Sequence, residues 1–122
     1  MQSLKQAISF LHSLGPKIVI ITSTFFSGDP ELIQLYASDS CSLLSCDIPK
    51  FPGHFTGTGD LLSSMLLTQM ELHDFEKAVE ISVNVMRGVL KTTVEQPLMG
   101  TNEISLVKSK KIIEEPTIEL KV

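Results

Sequence analysis

Lys17-Ile18-Val19-Ile20-Ile21-Thr22-Ser23 is an unbroken, β-branched, mostly apolar run, and it narrows the folds open to this chain. A strand with one solvated face alternates apolar and polar residues. A continuous run reads instead as a strand buried on both faces, as in a parallel sheet with helices on either side. The residues before it agree. Leu4, Ala7, Ile8, Leu11 and Leu14 share one helical face over residues 3–14, with Phe10 beside it, and Gly15-Pro16 supplies a helix stop. Helix, short turn and buried strand make half of a βαβ unit, so the expected class is α/β. The strand that should precede this helix is not among the 122 residues.

Downstream, Phe25 to Pro30 reads as a loop. Glu31–Ala37 and Cys41–Asp47 are strand-like, and the short Ser38-Asp39-Ser40 between them predicts a hairpin. Pro49, Pro52 and Gly53 mark a second loop, Ile48 to His54. A helix is expected from about Asp60 to Met70, burying Leu62, Met65 and Leu66. Its small Ser63 and Ser64 would permit close packing. Asp74 should cap another helix reaching about Thr93, largely buried, with Glu76, Lys77, Glu80, Arg87 and Lys91 as its solvated face. Gln96 to Asn102 is a loop. Glu103 to Ile113 fits either a short helix or a strand, and Glu114 to Val122 a short strand or extended segment.

A hydrophobic share of 43% with 20% charged residues suits one small globular domain. A formal net charge of −4 offers no general attraction for polyanions, so nucleic acid and acidic membranes are not expected partners. No apolar run approaches a membrane span, and the N-terminus begins in an amphipathic pattern without a signal-peptide core. The expectation is a cytoplasmic protein. Cys41 and Cys46 are then expected as buried thiols on a strand rather than a disulfide or a metal pair. Lys108, Lys110 and Lys111 fit a phosphate patch or, more commonly, a solvated face, and the lone loop residue His54 reads as polar surface.

The chemistry concentrates in Phe55-Thr56-Gly57-Thr58-Gly59-Asp60-Leu61. Glycines let the backbone turn tightly and bring N–H groups close to a ligand. The first N–H groups of a helix have no intrahelical partner, and its dipole favours negative charge there. The amides of Gly57, Thr58 and Gly59 could therefore cradle an anion, with Asp60 beside it to accept a proton from an attacking hydroxyl. The plainer alternative is a tight turn with Asp60 as the helix N-cap. A P-loop is not supported, because the Gly-Lys-Ser/Thr ending is absent.

Several segments taken together resemble the C-terminal portion of the pyridoxal kinases, a family of the ribokinase-like superfamily, and the eukaryotic enzymes in particular. They are Leu11–Pro16, Ile21-Thr22-Ser23, Cys46–Lys50, the run Phe55–Leu61 with Met65-Leu66-Leu67, Glu76–Val79 and Leu106–Pro116. The resemblance implies part of a three-layer α/β/α sandwich, truncated at the N-terminus, with residues 1–122 as its nucleotide-binding and catalytic-base portion. It implies that Asp60 meets the substrate and takes the proton of the 5′-hydroxyl of pyridoxal, pyridoxine or pyridoxamine, and that Gly57, Thr58 and Gly59 form the anion hole. Thr22 and Ser23 would line the ATP phosphates, with Thr22 near a monovalent cation. Phe51, Pro52, Gly53 and Phe55 would border the nucleotide, and residues near Val85 to Val89 the adenine. ATP, Mg²⁺ or another divalent metal, K⁺, and a homodimer or a full-length kinase subunit come with the family. Two other readings stay open: a non-catalytic product that binds nucleotide weakly or pairs with the full-length enzyme, and a sister kinase for a hydroxymethylpyrimidine or a sugar.

Overall fold

The computed structural model describes residues 1–122 and divides into two compact units, residues 1–50 with Val122 and residues 51–121. The first unit contains α1 (Gln2–Ser13), β1 (Val19–Thr24), β2 (Leu32–Ser38) and β3 (Leu43–Pro49). Leu4 and Ile8 of α1 pack with Val19 and Tyr36, and Leu11 and Ile21 close the cluster. Burying each of these larger side chains is worth about 1.5–3 kcal/mol. Ala7 and Leu14, expected on the buried face, are exposed. Leu14 is the C-cap, where the chain already leaves the helix, and its N–H bonds the Leu11 carbonyl at 3.1 Å. His12 ties this end down. Its Nδ1 lies 3.0 Å from the Pro16 carbonyl, which can only accept, and Nε2 lies 3.0 Å from Ser38 Oγ.

The sheet has three strands in the order β1-β2-β3, antiparallel throughout. β1 pairs antiparallel with β2, and residues 1–122 do not cover both of its faces in the way its composition suggests. Only Val19 is buried; Ile20 and Ile21 are half-buried, and Thr22 and Ser23 are exposed. β-branching favours the extended backbone, but burial depends on neighbours that a local pattern does not specify. The buried strand is β2, where Leu35 through Ser38 are all covered. β2 and β3 pair without interruption from Leu32↔Pro49 to Ser38↔Leu43. Asp39 holds the predicted hairpin turn, its Oδ1 accepting from the N–H groups of Cys41 (3.0 Å) and Ser42 (2.7 Å). Cys46 is buried on β3 as expected. Cys41 is not, because this register leaves it exposed in the turn before the strand begins.

The second unit contains α2 (Thr58–Leu72), α3 (Phe75–Glu95) and α4 (Lys110–Glu114). Asp74 caps α3 as predicted, accepting from the Lys77 N–H at 2.9 Å. Leu61 and Met65 of α2, five residues of α3 between Ile81 and Leu90, and Ile104 form the core. Every α3 residue from Ala78 to Met86 is buried, so the helix has no fully solvated side there. This corrects two of the residues assigned to water. Glu80 is buried between the ammonium groups of Lys77 (2.9 Å) and Lys121 (3.1 Å). Arg87 is half-buried and reaches Glu119 at 2.7 Å.

The last residues form no strand. They are held by the side chain of Asn84, whose Nδ2 donates to the carbonyls of Glu80 (2.8 Å) and Leu120 (2.9 Å). Asn84 Oδ1 accepts from the N–H groups of Glu119 (2.8 Å) and Leu120 (2.9 Å). The buried amide does what a neighbouring strand would have done. The ambiguous stretch resolves into a single parallel bridge, Thr56↔Glu103, followed by turns and the short α4. Lys108, Lys110 and Lys111 are exposed. No helix is long and apolar enough to cross a membrane.

Candidate active site

The chain enters the glycine turn from an anchored position. The Thr56 N–H donates to the Asn102 carbonyl at 2.8 Å, and the Ile104 N–H donates to the Thr56 carbonyl at 3.2 Å. Gly57 then adopts φ 97° and ψ −1°, a left-handed conformation that disfavours any residue with a Cβ, and is the N-cap of α2. Helical bonding begins at Leu61, whose N–H donates to the Gly57 carbonyl at 3.0 Å. The N–H groups of Thr58, Gly59 and Asp60 are thus the orphan donors of this terminus.

Asp60 is not the N-cap. It lies in the first turn of the helix, exposed, and no side-chain oxygen caps the terminus. Capping would have folded a carboxylate back onto the free amides. Here the donors are left open and a carboxylate stands beside them, an arrangement suited to an anion and a proton acceptor in adjacent places. Ser64 does not compete, because its hydroxyl donates to the Asp60 backbone carbonyl at 2.7 Å.

Phe51 and Phe55 are half-buried against the core of this unit, while Pro52 and Gly53 are exposed. This loop forms one wall of a cleft of about 240 Å³. Thr93 and Val94 at the end of α3, and residues between Pro97 and Glu103, form the rest. Val85 and Val89, expected near the adenine, are fully buried in the core and do not line it. The helical positions facing the cleft are one to two turns further on. No sequence signal marked Thr93 or Val94, because their place in the cleft depends on where the 97–103 segment returns. His54 is exposed and lines the same cleft.

Thr22 and Ser23 belong to the first unit. They are exposed at the end of β1, where the pairing with β2 shifts between Ile21 and Thr24 and Ser23 takes φ 58°. The structure therefore groups Gly57, Thr58, Gly59 and Asp60 at one helix terminus and Phe51, Pro52, Gly53 and Phe55 around or beside one cleft. The β1 pair stands in its own bulge. No group of three or more His, Cys, Asp or Glu residues could hold a metal ion.

No protein-family model matches the sequence. The chain is 31% identical over 129 residues to the pyridoxal kinase of Arabidopsis thaliana, covering 96% of this chain and 42% of that protein. It is 33% identical over 139 residues to the pyridoxal kinase of Dictyostelium discoideum, covering 98% of this chain and 46% of the relative. The pyridoxal kinase of Leishmania donovani, solved in complex with ADP, superposes with a TM-score of 0.85 at 21% identity over 99% of this chain and 43% of that one. The chain thus spans less than half the length of the curated relatives it matches, as a C-terminal portion would. Over nearly its whole length, this chain is similar in sequence and in α/β fold to a part of the pyridoxal kinases.

Proposed function

We propose that the chain carries the phosphoryl-transfer elements of an ATP-dependent pyridoxal kinase, converting pyridoxal, pyridoxine or pyridoxamine to the 5′-phosphate. The observation that carries this is the uncapped terminus of α2, with three unpartnered N–H groups beside the exposed Asp60, in a chain related to these kinases. Asp60 takes the proton of the vitamin's 5′-hydroxyl as its oxygen attacks the γ-phosphorus, and the bond to the β–γ bridging oxygen breaks to release ADP. The amides around Gly57, Thr58 and Gly59 hold the equatorial oxygens. Such chemistry is won by positioning and charge stabilisation, which this terminus supplies without covalent participation. The cleft beside Phe55 is read as the purine's place in the second unit; separately, the family resemblance gives Thr22 and Ser23 of the first unit a phosphate-contacting role.

Mg²⁺ is usually held by one or two carboxylates together with substrate phosphates; bound with ATP, it would neutralise the charge developing on the phosphate oxygens. Thr22 would lend an oxygen to K⁺. The reading carries with it a cytoplasmic setting and pairing as a homodimer or with a longer kinase subunit. It is tested by measuring pyridoxal 5′-phosphate formation from ATP, Mg²⁺, K⁺ and pyridoxal, with a hydroxymethylpyrimidine and a sugar as competing acceptors. Turnover with pyridoxal that vanishes in Asp60→Ala is the expected result. Turnover indifferent to Asp60→Ala, or confined to another acceptor, would overturn it. A folded chain that binds ATP without turning it over would favour the non-catalytic reading.

A further inference from the structure

We propose that Gln34 is the positioning residue for the phosphate-contacting end of β1; the inference rests on the reading of Thr22 and Ser23 given above. β1 and β2 keep one register from Val19↔Ser38 to Ile21↔Tyr36 and regain pairing at Thr24↔Gln34. Thr22 and Ser23 occupy the interval, with Ser23 at φ 58°. A non-glycine residue persists in that conformation only where its surroundings over-determine it.

The groups that do so converge on Gln34. Its backbone carbonyl accepts from Thr24 Oγ1 at 2.9 Å. Its Oε1 accepts from the Phe26 N–H at 3.1 Å and from the Tyr36 hydroxyl at 3.2 Å. Its Nε2 donates to Asp47 Oδ1 on β3 at 2.7 Å. With two donors on the oxygen and a carboxylate on the nitrogen, the amide has one way round. The Phe26 ring meets the buried Tyr36 edge-on, centroids 6.3 Å apart. Gln34 therefore fixes Thr24 and Phe26, which follow the bulge, to β2 and β3, and sets where Thr22 and Ser23 point. It acts through that backbone and touches no ligand.

The test is calorimetric binding of ATP and of adenosine to the 122-residue chain, with thermal melting of each variant. Gln34→Met keeps the length of the side chain and deletes its hydrogen bonds. It should weaken ATP about tenfold and leave adenosine unchanged, because adenosine lacks the phosphates that Thr22 and Ser23 are read as contacting. Gln34→Glu retains the acceptors for Phe26 and Tyr36 but sets like charge against Asp47, and should fall between. It carries the comparison if Gln34→Met does not melt cooperatively. Unchanged ATP affinity, or equal weakening of ATP and adenosine, overturns the proposal. Thr22→Ala separates the two failures. If it too leaves ATP binding unchanged, or the unsubstituted chain binds no ATP, the reading of the β1 end is wrong and the proposal falls with it.

Discussion

Gly57 and Gly59 stand either side of Thr58 yet ask different things of the backbone. At Gly57 the φ of 97° is the requirement, since a Cβ there would meet Ile104 only at ordinary contact distances of 3.5 and 3.6 Å. Gly57→Ala should therefore cost about 1–2 kcal/mol of stability from the left-handed backbone alone, measured by urea denaturation, and weaken ATP as well. Gly59 is helical, and a Cβ on it meets nothing within 4 Å. Gly59→Ala should leave stability unchanged or raise it by up to about 1 kcal/mol. If phosphate oxygens approach this terminus, the same change should still lower ATP affinity. A variant that melts higher and binds ATP as before would argue against the anion cradle. The glycine turn and its acid were legible in the sequence. That Asp60 leaves the cap position open was not, because helix start and N-cap differ by a few residues that only backbone angles resolve.

Among the elements, α3 carries most of the second unit. Gly88 lies where a Cβ would come within 2.6 Å of Ile112 Cγ2, so the closeness of α3 to α4 depends on it. Gly88→Ala gains about 1 kcal/mol of helix propensity but must displace a branched side chain, which costs about 1–3 kcal/mol. Net destabilisation is expected, and Ile112→Ala should relieve part of it in a double-mutant cycle. Asn84→Ala should cost about 2–3 kcal/mol, since the Glu119 and Leu120 backbone groups lose their partners together. Limited proteolysis of the C-terminal segment would report its release. The long apolar pattern of α3 and its Asp74 cap were readable locally. The partners of Glu80, Asn84 and Arg87 were not. They come from Glu119, Leu120 and Lys121, more than thirty residues away.

For the whole chain, acid stability should track two carboxylates. The Lys77 hydrogen bond, helped by Lys121 and opposed by burial, holds Glu80 below its ordinary value of 4.5. Hydrogen bonds from Ser42, backbone first, lower Asp39 below 3.8. A lowered folded pKa means stability that is complete above the unfolded value and lost as pH falls through the folded one. The midpoint of denaturation should thus decline on acidification from about pH 4.5, and Glu80→Gln should flatten that decline. An unchanged slope would mean the lysine pair does not hold Glu80 in solution. Helix and hairpin positions were visible in the sequence, as was the α/β class. The antiparallel pairing of β1 with β2 and the half-exposed β1 were not, since that pairing joins segments separated by a loop whose path the local pattern does not specify.

The bulge at the end of β1 has a second effect. An unpaired strand edge is a template on which another chain can add, and the hazard grows with the length of flat, apolar backbone on offer. Here the regular edge runs only from Val19 to Ile21 before Ser23 turns the backbone out of line. The distortion at Thr22 and Ser23 shortens the surface on which copies of the chain could stack. A substitution that straightened the bulge would therefore lengthen the regular edge and favour aggregation.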